Sequence, residues 1–219
     1  MSRYQTGEET RTKILQTCRT LFYRHGFRAV TYKMRCAEAD CNPGSINYHF
    51  GSKAGIAQEI YAQTLDDFTQ KVQKALEPSI ETLTAILVSF FLHIRLMYED
   101  DAYRRFNREI TCDCIDELRS NNYLETYSGS ASQLLDSVLS EEKRLFYETT
   151  SAGFDMALNI FIDENYLTAP FRQTCSSAAE LYFYLLGRDQ VAACGQQALE
   201  LVERITVSCS DMQVMVTQR

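Results

Sequence analysis

Thr31-Tyr32-Lys33-Met34-Arg35-Cys36-Ala37-Glu38-Ala39-Asp40-Cys41-Asn42-Pro43-Gly44-Ser45-Ile46-Asn47-Tyr48-His49-Phe50-Gly51-Ser52-Lys53 is the stretch on which the fold turns. Thr31 has a hydroxyl that can accept from the free N–H groups of a helix start, so a short helix is predicted from there to about Ala39. Asp40-Cys41 then make a tight turn. Asn42 caps the next helix, and Pro43 suits its first position, where a fixed φ and a missing N–H cost nothing. Two short helices around so brief a turn are a helix-turn-helix. Ala39 and Gly44 are small where the helices would approach closely, and Cys41 and Ile46 are placed to pack between them.

Upstream, Ile14, Cys18, Leu21, Phe22 and His25 share one face of a helix, with a Thr6-x-x-Glu9 capping box before it and Gly26 after it. Downstream, Ser52 caps a longer helix in which Ile56, Ile60, Thr64, Phe68, Val72 and Leu76 recur every four residues until Pro78 ends it. The segment from Ser79 to about Met97 is apolar almost all round and so belongs at the centre of a bundle. Further helices are expected at about 102–118, 130–139, 141–161, 171–186 and 189–208. The last two form an antiparallel hairpin, and residues 211–219 fray. No run of period-two alternation stands out. The reading is an all-α chain, with a three-helix helix-turn-helix domain at 1–51 and a helical bundle at 52–219.

Charge divides at the same place. Residues 1–55 carry nine Lys and Arg against four acids, a net +5; of the chain's 22 basic and 29 acidic residues this leaves 13 against 25, a net −12. Only the first part is built to track phosphates. A hydrophobic content of 45% is enough for a sizeable core. The apolar stretch Ala85 to Leu92 is too short to span a bilayer, and no apolar signal region opens the sequence, so a cytoplasmic protein with reduced thiols is expected. Cys36 with Cys41, and Cys112 with Cys114, are close pairs without the spacing of a structural zinc site, so neither metal nor cofactor is expected.

At Ile46-Asn47-Tyr48-His49-Phe50-Gly51-Ser52-Lys53 the chain resembles the tetracycline-repressor (TetR) family of transcriptional regulators, over about residues 8–61. Independently of that resemblance, a helix entering the major groove presents its first residues to base edges. Asn42, Pro43, Gly44 and Ser45 are therefore candidates for that contact, and Lys33 can reach a guanine edge or a phosphate. Asn47, Tyr48 and His49 lie towards the DNA backbone. Thr31 and Lys53 sit at helix amino termini, where a phosphate is favoured. One departure from the family is Arg35, where an aliphatic core residue is usual. Either the helix is turned so that Met34 faces inward, or the Arg35 stem crosses the core edge with its head directed outward.

The resemblance further implies a homodimer through the last two helices and a pocket for a small-molecule effector in the body, with a double-stranded DNA operator as partner and no membrane. Phe91, His93, Ile94, Tyr98, Phe106, Tyr127, Tyr147 and Phe154 are the candidate pocket residues, although for each taken singly a place in the helical core is the better reading. Arg95, Arg104, Arg105 and Arg108 could meet an acidic ligand or be solvated. Ala178, Ala179, Ala192, Ala193, Gly195 and Ala198 would allow close helix approach at a dimer or within the chain. An enzyme is disfavoured: no Walker loop, G-x-G-x-x-G, G-x-S-x-G or H-E-x-x-H is present, and there are only three histidines. The alternatives are a helical adaptor, or a thiol-based sensor without ligand-controlled DNA binding.

Overall fold

In a computed structural model, residues 3–114, 140–164, 169–184 and 187–219 are described. The expected stripes become helices: α1 (Arg3–His25), α2 (Tyr32–Ala39), α3 (Pro43–Phe50), α4 (Lys53–Ala75), α5 (Thr82–Glu99), α6 (Asp101–Asp113), α7 (Glu141–Asp163), α8 (Phe171–Tyr182) and α9 (Arg188–Glu203). The helix expected at 130–139 lies outside the described residues. Ile14, Cys18, Leu21 and Phe22 of α1 are buried as their spacing requires, while His25 is exposed. Thr6 lies inside α1 rather than at its cap, because the helix begins at Arg3.

α5 is the axis of the body. It packs against α4, α6, α7, α8, α9 and the strand that follows α9. Its 18 residues are long and apolar enough to cross a membrane by composition, but most of that surface is buried inside the fold, as an interior helix requires. Tyr103 at the start of α6 and His93 on α5 meet at 3.2 Å between the phenol oxygen and Nδ1.

Helical content dominates, but the carboxy-terminal expectation is overturned. The helix expected to reach Ser208 stops at Glu203, and residues expected to fray form an antiparallel hairpin, β1 (Ile205–Ser210) with β2 (Gln213–Gln218), in register Val207 opposite Val216 and Cys209 opposite Val214. Asp211 and Met212 both take positive φ, 48° and 60°. That is the backbone twist of a type I′ two-residue turn. Ile205, Val207, Met212 and Val214 are buried, with Thr206, Ser208, Gln213 and Met215 alternating outward.

The hairpin lies along α4 and its turn reaches α1. The Met212 carbonyl accepts from Thr64 Oγ1 at 3.2 Å and from Arg19 at 3.4 Å; Lys71 Nζ donates to the Val214 carbonyl at 2.7 Å, and Tyr23 Oη to that of Cys209 at 2.9 Å. Arg95, on α5, donates to the carbonyls of Val202 and Ile205.

The body arginines are therefore structural. Arg104 and Arg108 share Asp163 of α7, at 3.2 and 2.5 Å, and Arg105 donates to the Tyr23 and Arg24 carbonyls at the end of α1. Of the small residues on α8 and α9, Ala178, Ala179, Gly195 and Ala198 are buried within the chain, and Ala192 and Ala193 are exposed.

Candidate nucleic-acid interface

The interface is built from caps. Thr31 Oγ1 accepts from Met34 N at 3.3 Å, Asn42 Oδ1 from Ser45 N at 3.0 Å, and Ser52 Oγ from Gly55 N at 2.9 Å. Each side chain satisfies one of the donors that a helix start leaves open. Thr31 keeps its hydroxyl proton, and Asn42 its amide N–H groups, for a partner outside the chain. Asp40, at φ 46°, closes α2 in the left-handed conformation.

α3 sorts its residues by face. Ile46 is fully buried, whereas Asn42, Pro43, Gly44, Asn47 and Tyr48 are exposed, with Ser45 and His49 between. Tyr48 is 85% exposed. Lys33 and Thr31 are exposed on α2 and at its cap. Thr31, Lys33, Asn42, Pro43, Gly44, Asn47 and Tyr48 thus all reach solvent from the two short helices of the motif and their caps.

Lys53 opens α4, at the helix amino terminus where its spacing put it, and its ammonium already has partners within the head. Its ammonium donates to the Arg28 carbonyl at 3.2 Å and lies 4.4 Å from the centroid of the Phe27 ring. Burial lowers its pKa, and the nearby Arg35 charge adds to that effect. Two of its three N–H groups remain for a phosphate.

Arg35 is buried, and Met34 only half so. The head of Arg35 does not reach water freely: the guanidinium stacks 5.0 Å from the Tyr32 ring centroid, and its Nε is buried without a hydrogen bond. Gly44 corrects another expectation. It is exposed, and a Cβ there would meet only the Asn42 side chain, at 3.2 Å, so it spaces no helix pair. The close approach is made by Gly55, whose added Cβ would fall 2.4 Å from the Phe50 carbonyl oxygen.

Two further residues matter here that the sequence pattern did not single out. Tyr32 Oη donates to the Pro43 carbonyl at 2.6 Å, tying the start of α2 to the start of α3. Arg11 lies over the Phe50 ring at 5.1 Å and bonds Glu59 at 2.6 Å, joining α1, α3 and α4. Only Tyr32's place, next to the cap, could have hinted at its role.

The head is fixed to the body through α6. Arg28 makes a two-point bond to Asp113 at 2.7 and 2.8 Å, which holds that carboxyl below its usual range, and Arg28 N donates to Glu109 at 2.9 Å. Gly26, at φ 85°, lets these groups close in: a Cβ would meet Arg105 Nε and Glu109 Oε2 at 2.9 Å.

The candidate pocket residues do not form one wall. Phe91, Ile94 and Phe106 are completely buried, and Phe106 stacks on Phe22 of α1 at 6.1 Å, under the head. His93 faces Phe68 and Tyr103; its burial lowers its pKa to about 4. Tyr98 Oη meets Thr174 Oγ1 at 3.2 Å. Tyr147 and Phe154 come together on Tyr182, at 5.7 and 5.5 Å, beside Phe90 and Phe183. Tyr127 lies outside the described residues.

A three-helix head carrying an exposed second motif helix has the architecture of a helix-turn-helix unit. Residues 14–60 match the family model of the bacterial regulatory proteins, tetR family. Over 78 residues the chain is 31% identical to the HTH-type transcriptional regulator UidR of Escherichia coli strain K12, covering 35% of this chain and 40% of that one. Over 103 residues it is 28% identical to the HTH-type transcriptional repressor KstR2 of Mycolicibacterium smegmatis, covering 43% and 50%. The match thus spans about half the length of these relatives or less. The solved structure of RolR in complex with resorcinol superposes with a TM-score of 0.60 at 14% identity, over 89% of this chain and 97% of that one, a likeness of fold. The likeness to the tetR family thus lies in the amino-terminal unit, residues 14–60.

Proposed function

We propose that the chain is a transcriptional regulator, a cytoplasmic homodimer that represses from a DNA operator and is released by a small-molecule effector, and that it is not an enzyme. The observation that carries this is the exposed array on α2 and α3: Lys33 and Thr31 beside Asn42, Pro43, Gly44, Asn47 and Tyr48, with Ile46 buried behind them. In this reading Pro43, Gly44 and Ser45 approach base edges, Lys33 meets a guanine edge or a phosphate, and Asn47, Tyr48, His49, Thr31 and Lys53 hold the backbone. Residues 1–51 act as the reading head and 52–219 as the sensing and dimerising body. A two-fold dimer sets two α3 helices about one DNA turn, ~34 Å, apart. Exposed Leu181 and Tyr184, at and just beyond the end of α8, support a partner on that side. For the effector, the aromatic group of Tyr147, Phe154 and Tyr182 between α5, α7 and α8 suits a flat apolar molecule better than Phe106, which is committed to the head.

Selection of bound fragments from random duplex DNA tests the reading. The expected product is a near-palindrome with half-sites about ten base pairs apart. Lys33→Ala and Lys53→Ala each weaken binding to it, and each lowers the salt slope by about 1 if the lysine meets a phosphate. Recovery of no preferred sequence at any salt would reject the assignment and return the chain to the adaptor class.

A further inference from the structure

The turn of the helix-turn-helix carries two thiols that the DNA-reading role does not use. α2 ends with Asp40 N donating to the Ala37 carbonyl at 3.3 Å and Cys41 N to the Cys36 carbonyl at 3.1 Å, around the left-handed Asp40. That pair of bonds is a Schellman ending, which brings together the side chains of its first and last residues. Here both are cysteines. The single N–H···O bond keeps their Cα atoms within about 7 Å, the outer limit for a disulfide. The Cys41 thiol hydrogen-bonds Cys36, and both residues are half-buried, so water reaches the pair. The third thiol nearby, Cys18, is completely buried on α1, and burial pushes it up to about 12. It remains a protonated bystander.

We propose that Cys36 and Cys41 are a modification site: a dithiol that a hydroperoxide closes to an intramolecular disulfide, lowering operator affinity. The Cys41 thiol, raised first by burial and also by its bond to Cys36, is the one held protonated; Cys36 receives that bond and is the attacking sulfur. As thiolate, Cys36 Sγ attacks one peroxide oxygen, the O–O bond breaks, and the leaving oxygen takes a proton to depart as alcohol or water. Cys36 is now a sulfenic acid. Cys41, having given its proton to solvent, attacks the Cys36 sulfur; the S–O bond breaks and hydroxide leaves as water. Two thiols lose two electrons in all, and the peroxide gains them.

Closure brings the sulfurs from non-bonded contact to about 2.05 Å. Cys41 directly precedes Asn42, whose side chain caps α3, so the pull acts on the start of the reading helix. The affinity half of this proposal rests on the DNA-binding reading above; the bridge itself does not.

The test exposes the full chain to hydrogen peroxide and compares it with the reduced form. Peptide mass mapping is expected to find residues 36 and 41 linked, with the loss of two hydrogen atoms, at a rate that rises with pH because the thiolate attacks. Affinity for the duplex recovered by selection falls about tenfold or more and returns with dithiothreitol. Cys36→Ser and Cys41→Ser bind that duplex in the reduced state and lose the response. Oxidation of other cysteines without a 36–41 bridge would overturn the proposal, and so would a bridge that leaves duplex affinity unchanged. Should reduced protein select no duplex, the affinity half falls with the function it rests on, and the mass map alone decides whether the dithiol closes.

Discussion

The helix-turn-helix and the carboxy-terminal hairpin are held by opposite means. In the head, Thr31, Asn42 and Ser52 each accept from an N–H three residues ahead, so its helix ends are written within four-residue windows. The hairpin instead hangs on side chains more than a hundred positions away: Thr64 and Arg19 on Met212, Lys71 on Val214, Tyr23 on Cys209. Its turn has no glycine or asparagine to favour positive φ at Asp211 and Met212, so the surrounding contacts must hold it. The head is thus specified locally, and the hairpin by the fold it completes.

The contrast can be broken most forcefully at Val214, which is fully buried where β2 lies along α4. Val214→Asp places a charge there without a partner and is expected to cost about 3–5 kcal/mol in urea unfolding. A loss within about 0.5 kcal/mol would mean that the hairpin is a surface ornament after all.

A smaller effect sharpens the body's side of the comparison. His93 is buried neutral with its pKa lowered to about 4. Between about pH 6.5 and 4 the unfolded chain takes up a proton that the folded chain refuses, so stability is lost as pH falls through that window, by up to about 3 kcal/mol. His93→Gln should flatten that part of the profile; an unchanged slope would place the acid sensitivity elsewhere.

The smallest effect belongs to the head. Asn42→Ala removes one cap and is expected to cost about 1 kcal/mol, because the rest of the motif keeps its own local bonds. A loss as large as that of Val214→Asp would show that the head, too, depends on distant support.

Legibility followed the same division. The caps at Thr31, Asn42 and Ser52, the tight turn at Asp40 and the inward face of α4 depend on neighbouring residues, so the sequence pattern located them; the cap expected at Thr6 was not one of them. The hairpin was missed because Ile205 continues the helical stripe of Val191, Ala198 and Val202, and because Met212, the second residue of the turn, is not of a type that favours positive φ. Arg35 left two arrangements open, and only the ring of Tyr32 beside it decides between them. Gly55 and the Tyr32 bond to Pro43 depend on how close two backbones come, which spacing alone does not express. The body arginines find their carboxylates and carbonyls only once α6, α7 and α1 are packed.

The turn at Asp211 and Met212 also has a bearing on how the chain is made. Arg24 reaches Asp211 across 187 positions, and Arg19 reaches Met212 across 193. α1 leaves the ribosome before the hairpin, which follows every helix described, so the helix-turn-helix is complete in its local bonds long before its base is seated. Contacts of such span form slowly. During synthesis, then, the helix-turn-helix is shaped first and braced last.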